Sequence, residues 1–197
     1  MKLVADLHTH SLASGHAYST IKEMAEAAAQ KGLELIAITE HGPNEPGAPH
    51  PYYFDNLYVV PKVISGVEVL TGVEANIIGW EGHLDLEKGI LRKLDVVNAG
   101  FHTRDSGTVE ENTATMVKAI ASGWVDVIVH PGNPYFPIDP YRVVEAAKEH
   151  GIALEINNSS LNPHSFRQGS RDNCLKIAQV AKEAGLTLVV GSDAHWA

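Results

Sequence analysis

A short apolar run ends in two alternating histidines at residues 3–10, which read LVADLHTH. Side chains two positions apart on a strand share a face, so the imidazoles of His8 and His10 can reach one ion. Asp6 has the same parity, and we expect its carboxylate to orient one of these imidazoles. Standing alone, the motif would be explained as well by two polar residues in a turn.

The same combination of an apolar run and a metal-ligand residue type recurs along the chain. Seven strands are predicted, near residues 3–8, 34–39, 67–75, 95–101, 125–130, 152–157 and 186–191. Ligand-type residues follow six of the seven strands, and they are His8, His10, His16, His41, Glu74, His102, His130, Asp193 and His195. Imidazole and carboxylate groups are the usual ligands of zinc, iron and manganese, so the sequence predicts a multinuclear metal site.

Helix signals alternate with the predicted strands. N-caps are expected at Thr20, Thr108, Asp139 and Ser170. Glutamate follows the first two three residues later, which completes a capping box. Repeated strand–helix units indicate an α/β fold, a closed parallel barrel with the metal site at the carboxyl ends of its strands. An open doubly wound sheet is the alternative, although it would gather ligands only at a switch point.

Composition limits the class of protein. The 197 residues, 44% of them hydrophobic, predict one domain spanning 1–197, and no apolar run approaches the length of a bilayer span. Cys174 is the single cysteine, so no intrachain disulfide can form, and a cytoplasmic location is expected. A net charge of −9 argues against stable nucleic-acid binding, which needs a basic footprint. A small phosphorylated substrate is the expected partner.

Three further stretches bear on the site. Residues 43–61 are rich in proline and aromatics, and form either a lid over the pocket or a layer packed on the barrel. Asn157 and Asn158 end the sixth predicted strand and offer amides to a polar substrate. Arg167, and less strongly Arg171, lies before a helix N-terminus and could hold phosphate. The remaining histidines lack the strand-end context and are not nominated; they are His50, His83, His150 and His164.

Seven motifs, in order, resemble those of the PHP (polymerase and histidinol phosphatase) superfamily. They lie at residues 6–10, 38–42, 72–76, 99–102, 130–134, 155–160 and 191–195. The likeness is greatest to its small stand-alone bacterial phosphatases of the YcdX type. The resemblance implies a distorted (β/α)7 barrel that holds three divalent metal ions, usually zinc, with manganese and iron as alternatives.

The resemblance also implies how the ligands are divided among the ions. The first ion would take His8, His10, Glu74 and Asp193. Glu74 would bridge to a second ion, held also by His102 and His130, and the third ion would take His16, His41 and His195. The family continues with more helix after this point, so we expect a truncated chain in which the final helix is missing.

Together these features predict an enzyme, a metal-dependent phosphatase that hydrolyses phosphate monoesters with a metal-bridging hydroxide. An amidohydrolase-type site is disfavoured because Glu74, and not a lysine, stands at the bridging position. Two alternatives stay open. One is a nuclease or proofreading phosphoesterase, and the other is a non-catalytic metal-binding protein.

Overall fold

The computed structural model describes residues 2–102 and 105–197, in which nine strands form one sheet. They are β1 (Ala5–Thr9), β2 (Leu35–His41), β3 (Val63–Ile64), β4 (Val67–Ile78), β5 (His83–Leu84), β6 (Val96–Gly100), β7 (Val127–Ile128), β8 (Ala153–Asn157) and β9 (Leu188–Gly191). Seven of them run parallel in the order β1-β2-β4-β6-β7-β8-β9. These seven are the strands that the apolar runs predict.

The sheet curls until its first and last strands meet. Thr9 pairs with Ala194 in a parallel bridge, and the backbone N–H of His10 donates to the carbonyl of Ala194 at 3.0 Å. The carboxylate of Asp6 accepts from the backbone N–H of Ser192 at 3.0 Å. These contacts leave a nearly closed α/β barrel, which confirms the predicted architecture over the open sheet.

Two short strands flank β4 and were not predicted. β3 joins β4 through the two-residue turn Ser65-Gly66, and both turn residues have positive φ, 54° and 82°. That conformation is typical of a tight antiparallel hairpin. β5 pairs with the far end of β4, which continues beyond the barrel. Each of these short strands covers two residues and lacks the longer apolar run from which β7, also two residues long, is predicted.

Helices connect the parallel strands. They are α1 (Ile21–Gln30), α2 (Pro51–Asp55), α3 (Lys88–Leu91), α4 (Val109–Ile120), α5 (Pro140–His150), α6 (Asn158–Leu161) and α7 (Ser170–Ala184). Both predicted capping boxes are present, at Thr20 and Thr108, and Asp139 caps α5. Within the described residues, no helix combines the length and the hydrophobicity needed to span a bilayer.

The predicted cap of α7 is wrong by one position. Gly169 occupies the N-cap with φ of 94°, and Ser170 is the first helical residue and is buried. The chain turns sharply before the helix, since the N–H of Ser170 bonds to the carbonyl of Arg167 at 3.1 Å. A turn with positive φ suits glycine and leaves the serine inside the helix.

Apolar side chains fill the space between the sheet and the helices. The largest cluster joins α4, α5 and α7 to the sheet and includes Ile128 and Leu154, both fully buried. Phe54 and Leu57, from the segment 43–61, pack in a second cluster against another part of the same face of the sheet. These two residues therefore form a layer packed on the barrel and not a lid over the pocket. Cys174 is buried, as expected.

Leu154 and Leu175 form a matched pair for testing this core. Leu154 is 0% exposed on β8, and Leu175 is 58% exposed on α7. We predict that Leu154→Ala lowers the free energy of unfolding by about 2–5 kcal/mol, because it removes buried methyl groups and leaves a cavity. Leu175→Ala should change it by less than about 0.5 kcal/mol. Urea unfolding of the two variants measures the difference, and equal losses would contradict the packing described here.

Candidate metal centre

The carboxyl ends of the parallel strands bring all nine predicted ligands to one face of the barrel. His8 lies in β1. His41 is the last residue of β2, and it pairs in register with Glu74 of β4. The others follow strands: His10 and His16 come after β1, His102 after β6, His130 after β7, and Asp193 and His195 after β9. Ligands that are far apart in sequence thus meet because parallel strands end at a common edge.

Glu74 is the centre of this cluster and is only 1% exposed. Five imidazoles surround its carboxylate. The nitrogen–oxygen distances are 2.7 Å to His130, 2.8 Å to His41, 2.9 Å to His102, 3.3 Å to His8 and 3.4 Å to His10. A carboxylate with two oxygens each facing imidazoles from different strands has the geometry of a bridging ligand.

Asp193 provides a second carboxylate on the side of the first and last strands. Its Oδ1 lies 3.4 Å from His10 Nε2 and 3.7 Å from both His8 Nε2 and His195 Nδ1. Its Oδ2 accepts from the guanidinium of Arg167 at 3.0 Å. One oxygen therefore faces the histidine cluster while the other is held by an arginine.

Three pairs of imidazole nitrogens face each other at 3.1 Å. The pairs are His8 with His10, His102 with His130, and His16 with His41. Two nitrogens that bind one ion at about 2.0–2.1 Å must lie about 3 Å apart. The donor set therefore fits divalent metal ions. Three clusters of metal-ligand groups lie within reach of single ions, and they are His8–His10–Asp193, His10–His41–His195 and His41–Glu74–His102.

The electrostatics of the site favour metal-binding protonation states for several of these groups. Burial lowers the pKa of His10 to about 3, and burial together with the Arg167 charge lowers the pKa of His130 to about 3. Both imidazoles are therefore neutral and able to donate a lone pair. Burial alone would raise the pKa of Glu74, but the charges of His102 and His8 hold it well below its usual range.

Glu155 of β8 orients His8, a role that the sequence did not reveal. Its Oε1 lies 2.8 Å from His8 Nδ1, and its Oε2 accepts from the backbone N–H of His130 at 2.7 Å. The predicted role of Asp6 is wrong, because Asp6 accepts from the backbone N–H groups of His8 and Ser192 and not from an imidazole. Glu155 begins the motif at residues 155–160, but neither that motif nor an acidic residue inside an apolar strand showed which side chain it would contact.

Glu40 supports His10 through a serine. Ser14 Oγ lies 3.1 Å from His10 Nδ1 and donates to Glu40 Oε2 at 2.6 Å. The same carboxylate accepts from the hydroxyls of Ser11 and Tyr53. This network turns the other nitrogen of His10 towards Glu74 and Asp193, as hydrogen-bonded carboxylates behind metal ligands do. Tyr53 connects the segment 43–61 to the centre in this way.

The predicted substrate-binding residues divide into two groups. Asn157 is fully buried, and its amide nitrogen donates to Glu155 and Asp193 at 3.2 Å each. It therefore supports Asp193 from within the protein and is no open contact for substrate. Asn158 is exposed, and Arg167 lies beside Asp193, so contacts of these two with substrate stay predictions. Arg171 is exposed on the first turn of α7.

The four histidines that were not nominated lie outside the cluster. His50 caps α2, where its Nδ1 accepts from the N–H of Tyr52 at 3.1 Å. His83 lies in β5, His150 is the last residue of α5, and His164 is exposed.

Two of the candidate ligands have strained backbones. His130 has φ of 34° and Asp193 has φ of 57°, values that residues with a Cβ rarely adopt. Their backbone N–H groups are fixed by Glu155 and by the carbonyl of His8. Such strain persists only where the surroundings determine the conformation, and it is concentrated at functional sites.

The chain is similar in sequence to known proteins of one family. The PHP domain profile matches residues 6–161. The chain is 55% identical over 198 residues to a probable phosphatase of Thermoanaerobacter sp. (strain X514), covering 99% of this chain and 80% of the relative. It is 48% identical over 197 residues to a probable phosphatase of Shewanella piezotolerans (strain WP3), covering 99% and 79%.

A solved structure has a similar fold. It is histidinol phosphate phosphatase from Lactococcus lactis, complexed with zinc, L-histidinol and phosphate. The TM-score is 0.69 at 19% sequence identity, and the match covers 98% of this chain and 86% of the other. At this identity the likeness shows the fold, a barrel with helices around it.

The central and the peripheral ligands should respond differently to substitution. We predict that Glu74→Gln weakens metal binding by more than about 100-fold, because it removes the anion shared by five imidazoles, whereas His16→Ala weakens it by about 10–100-fold. Metal titration against a competing chelator measures both. Thermal unfolding of the apo variants controls for loss of fold. Full and equal recovery of both variants at raised metal concentration would contradict the central role of Glu74.

Proposed function

The chain belongs to the PHP domain family, and we propose that it is a metal-dependent phosphatase that hydrolyses phosphate monoesters at a site for three divalent ions. The cluster of seven histidines around Glu74 and Asp193 is the observation that carries this proposal. Relatives about half identical to the chain are named probable phosphatases, and the similar fold from Lactococcus lactis was solved with zinc and phosphate.

The ligands proposed for each ion follow the three facing pairs. His8 and His10 would hold the first ion with Asp193 and Glu74. His102 and His130 would hold the second, also with Glu74, and His16, His41 and His195 would hold the third. An imidazole-rich set suits zinc best, with manganese and iron as alternatives. When bound, such ions lower the pKa of water towards ~7 and neutralise charge on phosphoryl oxygens.

The protein's own groups keep this site in one arrangement. Glu155 and the Ser14–Glu40 pair hold the imidazoles of His8 and His10 so that their Nε2 atoms face the centre. Arg167 contributes the positive charge beside it. One of its amino groups bonds Asp193 and Ser160, while its Nε is buried without a hydrogen-bond partner among the described residues. A planar guanidinium with donors to spare suits a phosphate oxygen.

Metal content tests the first part of the proposal. We predict about three divalent ions per chain in metal-replete protein, since the nine ligands share one bridge and leave positions open for water. Chelation should abolish hydrolysis of 4-nitrophenyl phosphate, and added zinc or manganese should restore it. Elemental analysis before and after chelation is the measurement. One ion or none per replete chain would rule out a three-ion site, and turnover by the metal-free protein would rule out metal dependence.

Charge should decide between monoesters and polymers. The body of the protein carries a net charge of −9, whereas the proposed ions make the pocket positive. A small dianion brings its charge to the pocket alone, but a polymer must lay further phosphates on acidic surface within about one Debye length, ~8 Å. We predict kcat/KM at least about tenfold higher for a sugar monophosphate than for an oligonucleotide in the same metal and salt. A preference for the oligonucleotide would favour a nuclease instead.

A further inference from the structure

Ser14 is not among the predicted ligands, yet its hydroxyl meets two of them and a buried acid. Its Oγ lies 3.1 Å from His10 Nδ1 and 2.6 Å from Glu40 Oε2, and it accepts from the backbone N–H of His41 at 3.1 Å. The serine is fully buried, so water does not compete for these contacts. One hydroxyl group therefore contacts a candidate ligand that follows β1 and another that lies in β2.

The direction of each hydrogen bond to Ser14 follows from the chemistry of its partners. A serine hydroxyl has one hydrogen to donate and two lone pairs with which to accept. The carboxylate of Glu40 takes the hydrogen, and the backbone N–H of His41, which can only donate, uses one lone pair. The other lone pair faces His10 Nδ1, so this nitrogen must carry a hydrogen.

Glu40 is itself fixed as an acceptor. It is 0% exposed, and its Oε1 accepts from the hydroxyls of Ser11 and Tyr53. Its Oε2 accepts from the backbone N–H of Ser11 at 3.0 Å as well as from Ser14. A backbone N–H always donates, so Oε2 acts as an acceptor and the hydroxyl of Ser14 keeps its direction.

A hydrogen on Nδ1 decides what His10 presents to the candidate metal centre. A metal-binding imidazole is neutral and carries one N–H, so the lone pair of His10 lies on Nε2. That atom is 3.1 Å from His8 Nε2 and 3.4 Å from Asp193 Oδ1. His8 presents its Nε2 in the same way, because its Nδ1 faces a Glu155 oxygen at 2.8 Å. Two unprotonated nitrogens cannot hydrogen-bond to each other, but both can bind one cation.

The opposite tautomer of His10 would obstruct metal binding. A hydrogen on Nε2 could be accepted by Asp193 Oδ1 or Glu74 Oε2, both 3.4 Å away, and would block the nitrogen that has to bind the ion. Without the Ser14 oxygen this tautomer would be favoured, because a hydrogen left on Nδ1 would be a buried donor without an acceptor. The serine thus favours the metal-binding form of His10 by accepting from the other side of its ring.

We propose that Ser14 is a positioning residue of the metal centre, whose hydroxyl fixes the hydrogen of His10 on Nδ1 and leaves Nε2 free for an ion. Glu40 makes this possible by taking the hydrogen of the serine. The inference rests on the proposed function and deepens it, because it gives a residue that is no ligand a defined role in metal binding.

The ring nitrogens of His10 test the proposal without any change to Ser14. Long-range proton–nitrogen correlation spectra distinguish protonated, unprotonated and zinc-bound ring nitrogens, and His10→Ala identifies the His10 signals by their loss. We expect the hydrogen on Nδ1 in both metal-free and zinc-loaded protein, with zinc on Nε2 in the loaded form. A hydrogen on Nε2 in either form would overturn the proposal.

Zinc affinity measures the consequence of removing the hydroxyl. We predict that Ser14→Ala weakens zinc binding by about 10–100-fold in competition with a chelator, as loss of a group behind a metal ligand does. Ser19→Ala is the matched control. Ser19 is also buried, but among the described residues its hydroxyl bonds the backbone N–H of Ala197 and no candidate ligand, so its removal should leave the affinity unchanged.

A double-mutant cycle separates positioning from a general loss of structure. If Ser14 acts through His10, then Ser14→Ala should weaken zinc binding by less than about threefold in protein that already carries His10→Ala. A serine that only stabilised its loop would cost the same with and without the imidazole. Thermal unfolding of the metal-free variants verifies that each one is folded.

The outcomes keep this inference apart from the function beneath it. Zinc binding with the expected tautomer, but no turnover of 4-nitrophenyl phosphate by metal-replete protein, would overturn the phosphatase function alone. Zinc affinity that survives Ser14→Ala, or a loss that is equal with and without His10, would overturn the inference alone. A loss that depends on His10 and is absent from Ser19→Ala supports it.

Discussion

A single buried carboxylate determines how this barrel is organised. Glu74 sits near the middle of the longest strand with its oxygens out of water, and a charge in that position is tolerated only if partners surround it. Imidazoles from β1, β2, β6 and β7 supply those partners. Each of these strands must end at the same level for its histidine to reach Glu74. The geometry of the site therefore depends on the register of the sheet.

Much of this arrangement can be predicted from the sequence, because the candidate ligands follow apolar runs that form strands. His8, His41, His102 and His130 could be predicted as neighbours since parallel strands end together. Glu155 and Glu40 could not, because nothing local distinguishes a carboxylate that turns into the barrel from one in solvent. The prediction for Asp6 failed for the same reason. Asp6 lies on the same face of β1 as His8, but closure of the barrel brings the backbone N–H of Ser192 to its carboxylate. Contacts made by closure depend on partners far away in sequence.

The buried acids divide into ligands and supports. Glu74 and Asp193 face the histidine nitrogens, whereas Glu155 and Glu40 stand behind them and accept from imidazole, backbone or hydroxyl groups. This division limits the negative charge at the centre to two carboxylates. The imidazoles of His10 and His130, whose pKa values are lowered to about 3, are neutral and add no charge of either sign. With divalent ions bound, the charge there would be positive, which suits an anionic substrate in an otherwise acidic protein.

The seam between β1 and β9 links the site to the order in which the chain folds. Asp6 and Ser192 are 186 positions apart, and their contact closes the longest loop among the side-chain hydrogen bonds described here. Closing a contact of such sequence separation costs more chain entropy than closing a local one, so we expect it to form late. During synthesis the histidines of β1 are made long before Asp193, and the ligand set across the seam stays divided until the last strand is in place. An ion held across this seam would bind only the finished barrel, and would shift the folding equilibrium towards it by mass action.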